Sequence, residues 1–456
     1  MIVMKFGGSS VESAEAIGRV VSIVEARLER RPVVVVSAMG KTTNRLLECA
    51  RLAVEGGREE ALAKLAGLRE FHHAESPEEV RGAIDAHFDE LAELLRGLSV
   101  LGEMTPRSVD AISAFGERMS SLVVAAAFRQ RGIAASHVDA REMIVTDDRH
   151  TQAAPQYAET YERLAALLPV LAARGVVVMG GFIGATRAGV TSTLGRGGSD
   201  FSAAIAGAGI GAEEIQIWTD VDGMLTCDPR VLPGGRRVRV ISFAEAAELA
   251  YFGAKVLHPS TVLPAVEKQI PVLILNSRRP DVEGTRIVAR GAESANPIKS
   301  IACKRNITAV SIKSTRMLMA HGFLRRIFEV FDRHETPVDM VTTSEVSVSL
   351  TVDNAARLEA IVAELRAFAE VNVQAGQALV ALVGDGLGER KGIAGRAFQA
   401  LNGVNVRMIS QGASQLNLSF VIADADVAKA VGLLHAEFFT ELDPKVFDVA
   451  AREVPA

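Results

Sequence analysis

Cysteine is scarce in this chain. Only Cys49, Cys227 and Cys303 occur in 456 residues, far apart and without a C-x-x-C pair. That spacing speaks against a disulfide framework or a zinc site and fits a reducing cytoplasm. The nine histidines show no H-x-x-x-H or similar ligand spacing. There is no excess of positive charge either. Fifty Lys and Arg stand against 55 Asp and Glu, a net charge of −5, so the chain carries no footprint for nucleic acid. Long apolar runs are also missing. The longest, VVVMGGFIGA, is too short and too broken by glycine to cross a bilayer. The first residues lack a basic stretch followed by an apolar one, so no signal peptide and no membrane association are expected.

What is present is ample apolar material, 48% against 23% charged residues, enough for two or three domains with buried cores. The runs MIVMKF, PVVVVSA, ASHVDA, GVVVMGGF, IQIWTD and PVLILNS alternate with helical patterns. Near-continuous apolar strands between helices predict an α/β region with a parallel sheet covered on both faces. Ile17, Val20, Val21, Val24 and Leu28 share one helical face. Residues 58–130 read as a helical segment inserted between strands, and the α/β region is expected to cover 1–290.

The last third changes rhythm. Strand, helix, two strands and a helix follow one another twice, predicting two α+β units of about 307–375 and about 376–442. The strand at 298–306 is expected to complete the second unit's sheet, giving a C-terminal region of 298–445.

Three glycine stretches carry chemistry. In KFGGSSVE, Lys5 ends a strand, and Gly7 and Gly8 open the backbone to a ligand. Ser9 and Glu12 have capping-box spacing, so a helix is expected to start there. The stretch is either an anion site at a helix start or a tight turn with a surface lysine. In STLGRGGSDFS, Gly195, Gly197 and Gly198 surround Arg196, a bidentate reader of carboxylate or phosphate. Asp200 there is either a helix cap or a holder of Mg²⁺ or an ammonium group. In WTDVDGMLTCDPR, Thr219, Asp220 and Arg230 form either a nucleotide edge or a structural turn. Lys255 lies at a helix end, and Glu117 is either an ammonium partner or a solvated helix charge. GKTT at 40–43 is no phosphate loop, because Val35 occupies the first glycine position. GDGLGERKG lacks the last glycine of a dinucleotide fingerprint, where Glu389 stands.

KFGGSS, GFIGA, TLGRGGSD, WTDVDGMLTCDPR, FAEAAELAYFGAKVLHP and TTSEVSVSL together resemble the aspartate kinases, in order over nearly the whole chain, and most closely the single-function, lysine-inhibited kind. The resemblance implies an amino acid kinase-type αβα sandwich followed by two ACT-like units of βαββαβ order. It implies transfer of the ATP γ-phosphoryl group to the side-chain carboxylate of L-aspartate, the first step of aspartate-family amino acid biosynthesis, lysine included. Lys5 and Asp200 are then catalytic. Ser37, Thr43, Glu117, Arg196 and Ser199 bind aspartate. Gly7, Gly8, Ser9, Thr219, Asp220, Leu225, Arg230 and Lys255 serve ATP, and Mg²⁺ arrives with ATP rather than in a metal site of its own. Met317, Gly322, Phe323, Asp339, Ser344 and Glu345 are implied to hold an effector, L-lysine or threonine, in a homodimer or tetramer built through the ACT-like units. Two other readings are another amino acid kinase and a catalytically inactive amino-acid sensor.

Overall fold

The computed structural model describes residues 1–253, 257–292, 294–314 and 321–449. The chain divides into two compact units, Met1–Met224 with Val256–Arg290, and Leu225–Lys255 with Gly291–Ala456. Residues 225–255 group by their contacts with the C-terminal unit, where Ile301 N–H donates to Thr226 O at 2.8 Å and Lys299 Nζ lies 3.0 Å from the buried Glu245 carboxylate.

In the first unit, strands pair in the order Ala135–Val138, Val176–Gly180, Pro32–Val36, Ile2–Phe6, Glu214–Thr219, Val272–Asn276 and Thr285–Val288. All pairings are parallel except the last. The four central strands are almost wholly buried, which explains the unbroken apolar runs of Pro32–Val36 and Val176–Gly180. Alternation along the first strand sends Ile2, Met4 and Phe6 into a core with Ile17, Val20, Val21 and Val24 of helix Ala14–Glu25. The inserted helices Arg58–Glu75 and Arg81–Leu101 join that core through Leu65, Leu68, Ile84 and Phe88. Lys5 points to the opposite face, where helix Gly198–Ile210 packs. The apolar helical run Pro106–Gln130 is long enough to span a membrane, but 78% of its most apolar window is buried in the protein, as befits a core helix.

The opening turn departs from expectation. Gly8–Ser10 form a single 3-10 turn, and the α-helix begins only at Ala14, with Ser13 as its cap. Ser13 Oγ accepts from Ala16 N–H at 3.2 Å, while Glu12 faces Arg278. Ser9 and Glu12 therefore form no capping box. The chain must first pass close to Gly40 and Ala38, and this postpones the helix.

In the second unit, a six-stranded antiparallel sheet runs Val341–Thr343, Ser347–Val352, Ser300–Lys313, Glu370–Val383, Asn417–Ala423 and Met408–Gln411. The sequence suggests that each of the two central 14-residue strands is two separate strands. They are continuous because Asn306 (φ 58°) and Gly376 (φ 65°) take left-handed conformations beside a bulge that bends the ladder without ending it. Helices Phe323–Arg333 and Leu358–Arg366 cover one part of the sheet through Phe323, Ile327, Ile361 and Leu365.

Candidate active site

The first strand lies parallel between Pro32–Val36 and Glu214–Thr219, and polar groups gather at the carboxyl ends of the strands there. This is where open α/β sheets hold ligands. A cavity of about 310 Å³ is lined by Lys5, Ser37, Thr43, Glu117, Phe182, Ser199, Asp200 and three glycines of the 195–198 loop.

Lys5 is 9% exposed, and its Nζ lies 2.7 Å from Asp200 Oδ1. The contact is an ion pair and not an aligned hydrogen bond, so this buried carboxylate oxygen keeps capacity for another partner. Asp200 stands in the first turn of helix Gly198–Ile210, and the left-handed Gly197 takes the cap position. Asp200 is thus no N-cap. A carboxylate in this first turn also faces the positive helix end.

Glu117 comes from the core helix Phe115–Gln130 and is fully enclosed. Its Oε1 accepts from Ala38 N–H at 3.1 Å, while Oε2 is buried and without a partner. Burial pushes this carboxyl up to about 8, against the opposing pull of backbone hydrogen bonds and the Lys5 charge. It is therefore not a solvated helix charge. It is an enclosed acid with one oxygen free to receive a cation. The same helix fixes the strand end beside it, since Ser120 Oγ–H donates to Ser37 O at 2.7 Å. Arg196 is exposed on its loop and, among the described residues, makes no ion pair.

Phe182 is the lining residue that sequence reasoning missed. It follows the strand Val176–Gly180 with φ 66°, unusual for a bulky side chain, and the signal was the GGF turn at that strand's end.

Among residues assigned to the nucleotide, Gly7 N–H donates to Trp218 O at 3.2 Å, next to Thr219 and Asp220 at the neighbouring strand end. Gly8 has backbone oxygens of Gly40 and Ala38 packed where a side chain would begin, and Ser9 lies in the same turn. Leu225 and Arg230 belong to the second unit. Arg230 forms an ion pair with Asp228 at 2.6 Å, and Leu225 O accepts from Ser300 Oγ–H at 2.7 Å. Lys255 lies outside the described residues.

Of the effector positions, Met317 also lies outside the described residues. Gly322, left-handed, caps helix Phe323–Arg333, and Phe323 is buried edge-on to Phe368. Ser344 and Glu345 form an exposed hairpin turn. Asp339 already holds an ammonium group, that of Lys304 at 3.0 Å, which Asp353 also binds, and Tyr251 O–H points at Asp339. Burial, followed by the neighbouring Asp353, raises the Asp339 pKa despite Lys304.

The amino acid kinase family pattern matches residues 1–276, and that of the ACT domain matches residues 380–438. Aspartokinase 2, chloroplastic, of Arabidopsis thaliana is 41% identical over 463 residues, covering 97% of this chain and 85% of that protein. Lysine-sensitive aspartokinase 3 of Escherichia coli K12 is 38% identical over 457 residues, 96% of this chain and 99% of its own. The structure of E. coli aspartokinase III in complex with lysine and aspartate (T-state) matches with a TM-score of 0.83 at 37% identity, covering 96% of this chain and 99% of that one. Its complex with aspartate and ADP (R-state) matches at 0.81, covering 96% and 100%. The mostly parallel sheet and its C-terminal antiparallel companion are therefore those of an amino acid kinase with ACT units. Within that class, the chain belongs to the aspartokinase family.

Proposed function

We propose that the cavity around Lys5 transfers the γ-phosphoryl group of ATP to the side-chain carboxylate of L-aspartate, giving ADP and 4-phospho-L-aspartate. The observation behind this reading is one cavity lined by the Lys5–Asp200 pair and the enclosed Glu117, with Arg196 exposed on the glycine loop at its rim. A substrate carboxylate oxygen attacks the γ-phosphorus, and the bond to the ADP oxygen opens. No protein nucleophile is needed, only positioning and charge neutralisation.

Lys5 neutralises charge on the moving phosphoryl group. Glu117 Oε2 receives the substrate ammonium, Arg196 clamps the α-carboxylate, and the Ser37, Thr43 and Ser199 hydroxyls line the space between them. The amides of Gly8 and Ser9 face the phosphates, and Gly7, its own amide tied to Trp218 O, shapes the turn that presents them. Thr219, Asp220, Leu225, Arg230 and Lys255 serve the rest of the nucleotide. Asp200, whose buried Oδ1 lies beside Lys5 without an aligned hydrogen bond, would be the carboxylate available to Mg²⁺ arriving with ATP, and that ion would supply shielding of the phosphate charge.

The division of labour is part of the proposal: residues 1–290 catalyse, and 298–445 regulate. L-lysine is the proposed effector, with threonine as the alternative. It would be held at Met317, Gly322, Phe323, Asp339, Ser344 and Glu345 in a homodimer or tetramer formed through the C-terminal units. The support is the lysine-sensitive relative, together with the Lys304 ammonium on Asp339, which marks a place suited to a cation. The three free thiols suit a cytoplasmic enzyme.

Hydroxamate trapping of the acyl phosphate, with ATP, Mg²⁺ and aspartate, glutamate or acetylglutamate, tests the reaction. Aspartyl hydroxamate is the expected product, inhibited by added lysine. Preference for another acid, or no product with any, overturns the assignment.

A further inference from the structure

The mechanism above leaves the enclosed carboxylate of Asp110 unused. Asp110 is 0% exposed and sits on helix Pro106–Ser113. That helix runs through Ala114, itself helical, into Phe115–Gln130. Asp110 and Glu117 are two turns apart in this run and so share a face.

Three groups outside the helix converge on the Asp110 carboxylate. Thr193 Oγ–H donates to Oδ1 at 2.6 Å. Thr151 N–H donates to both oxygens at 3.0 Å. His150 Nδ1 lies 2.8 Å from Oδ2. Thr193 ends the strand Thr191–Thr193 and leads through Leu194 into the Gly195–Gly198 loop that carries Arg196. Ala153 N–H donates to Thr193 O at 2.9 Å, and Leu194 N–H to Phe182 O at 2.9 Å. Thr151 has φ 72°, a strained value for a β-branched residue, and its carbonyl oxygen lies 3.1 Å from where a side chain on Gly195 would begin. A buried carboxylate with this many donors is rigid, and removing a donor leaves it under-satisfied.

We propose that Asp110 is a positioning residue that sets the distance between the ammonium site at Glu117 and the carboxylate site at Arg196, and thereby fits the pocket to a four-carbon acidic amino acid. Through the helix Asp110 is continuous with Glu117. Through Thr193 it holds the start of the Arg196 loop. The inference rests on the proposed roles of Glu117 and Arg196. Asp110 touches neither substrate nor nucleotide, so its loss acts through the aspartate constants.

The test is steady-state kinetics on the full-length enzyme with Thr193→Val, Asp110→Asn and Arg196→Lys, alongside melting curves. Thr193→Val removes the hydroxyl and keeps the shape. It is expected to raise KM for aspartate five- to tenfold, leave KM for ATP and kcat within twofold, and narrow the aspartate-over-glutamate ratio of kcat/KM. Asp110→Asn keeps an acceptor and is expected to fall between wild type and Asp110→Ala. If Arg196→Lys raises KM for aspartate while folded Thr193→Val and Asp110→Asn leave it and the glutamate ratio unchanged, the positioning role is wrong and the substrate reading stands. If Arg196→Lys is itself without effect on aspartate, the substrate reading fails and the inference with it. Equal shifts in the ATP and aspartate constants in Thr193→Val, with a lower melting temperature, assign Asp110 a purely structural role.

Discussion

Lys5 Nζ and Asp200 Oδ1 face each other at 2.7 Å across the meeting point of a central strand and a helix start. The pair places one fixed positive charge and one carboxylate at the floor of the same cavity, each largely shielded from water. Both groups are held in place by this pairing, and electrostatic catalysis of the proposed kind depends on such preorganisation.

Removing either member is therefore expected to cut turnover far more than it alters folding. Lys5→Ala and Asp200→Ala should each cost on the order of 3 kcal/mol of transition-state stabilisation, roughly a hundredfold in kcat. Initial rates on variants with native circular dichroism check this. Near-normal turnover by either one sinks the catalytic assignment.

Glu117 predicts a pH dependence. Its pKa in the folded chain, about 8, lies above the ordinary 4.5. The folded state thus keeps a proton that the unfolded chain has released at neutral pH. The stability this adds is complete below pH 4.5 and is lost as pH rises through about 8. The melting temperature of ligand-free wild type should therefore decline from pH 5 to 8.5, relative to Glu117→Gln. The substrate ammonium requires the anionic form, so KM for aspartate should fall over the same span in wild type and stay high and flat in the variant. Parallel pH profiles for the two proteins contradict the assignment.

At Gly8 the backbone allows no side chain. A Cβ there would lie 2.9 Å from Gly40 O and 3.1 Å from Ala38 O, neither of which is a flexible group. Gly8→Ala is expected to cost ~1–3 kcal/mol of stability through overpacking. Gly18→Ala, in the helix Ala14–Glu25 with nothing within 4 Å of the new carbon, is the control and should be neutral or stabilising by up to about 1 kcal/mol. Denaturant melts of both variants decide, and equal midpoints would show that the turn yields.

Control by an effector predicts a competition. Lys304 pairs with Asp339, so on the proposed effector site an incoming ammonium group must displace it. Lys304→Met should lower the lysine concentration needed for inhibition, and Asp339→Asn should raise it, each by about five- to tenfold. Glu345→Ala should also relieve inhibition. Inhibition curves on the three variants test this. Unchanged curves in all three place the effector elsewhere.

Much of this was legible in the sequence because it depends on near neighbours. The unbroken Val33–Val36 and Val176–Val178 runs mark strands buried on both faces. The period of Ile17, Val20, Val21 and Val24 marks the first helix. Glycine beside Lys5 and Arg196 marks two turns, and the structure brings Lys5 and the glycines around Arg196 to one cavity. Motif order along the chain carried the family, which no single motif does. Other features exist only once distant segments meet. Ser13, not Ser9, caps the first helix because the turn before it is pressed against Gly40 and Ala38. Glu117 is an acid of raised pKa because core packing encloses it, whereas the pattern around it is equally that of a surface charge. Residues 225–255 side with the C-terminal unit through Thr226–Ile301 and Glu245–Lys299, and Asp110 gathers Thr151 and Thr193 from separate stretches. Periodicity and turn chemistry are written in adjacent residues. Burial, ion pairing and the spacing of charges across a pocket are set by topology, which brings remote residues together only in the folded chain.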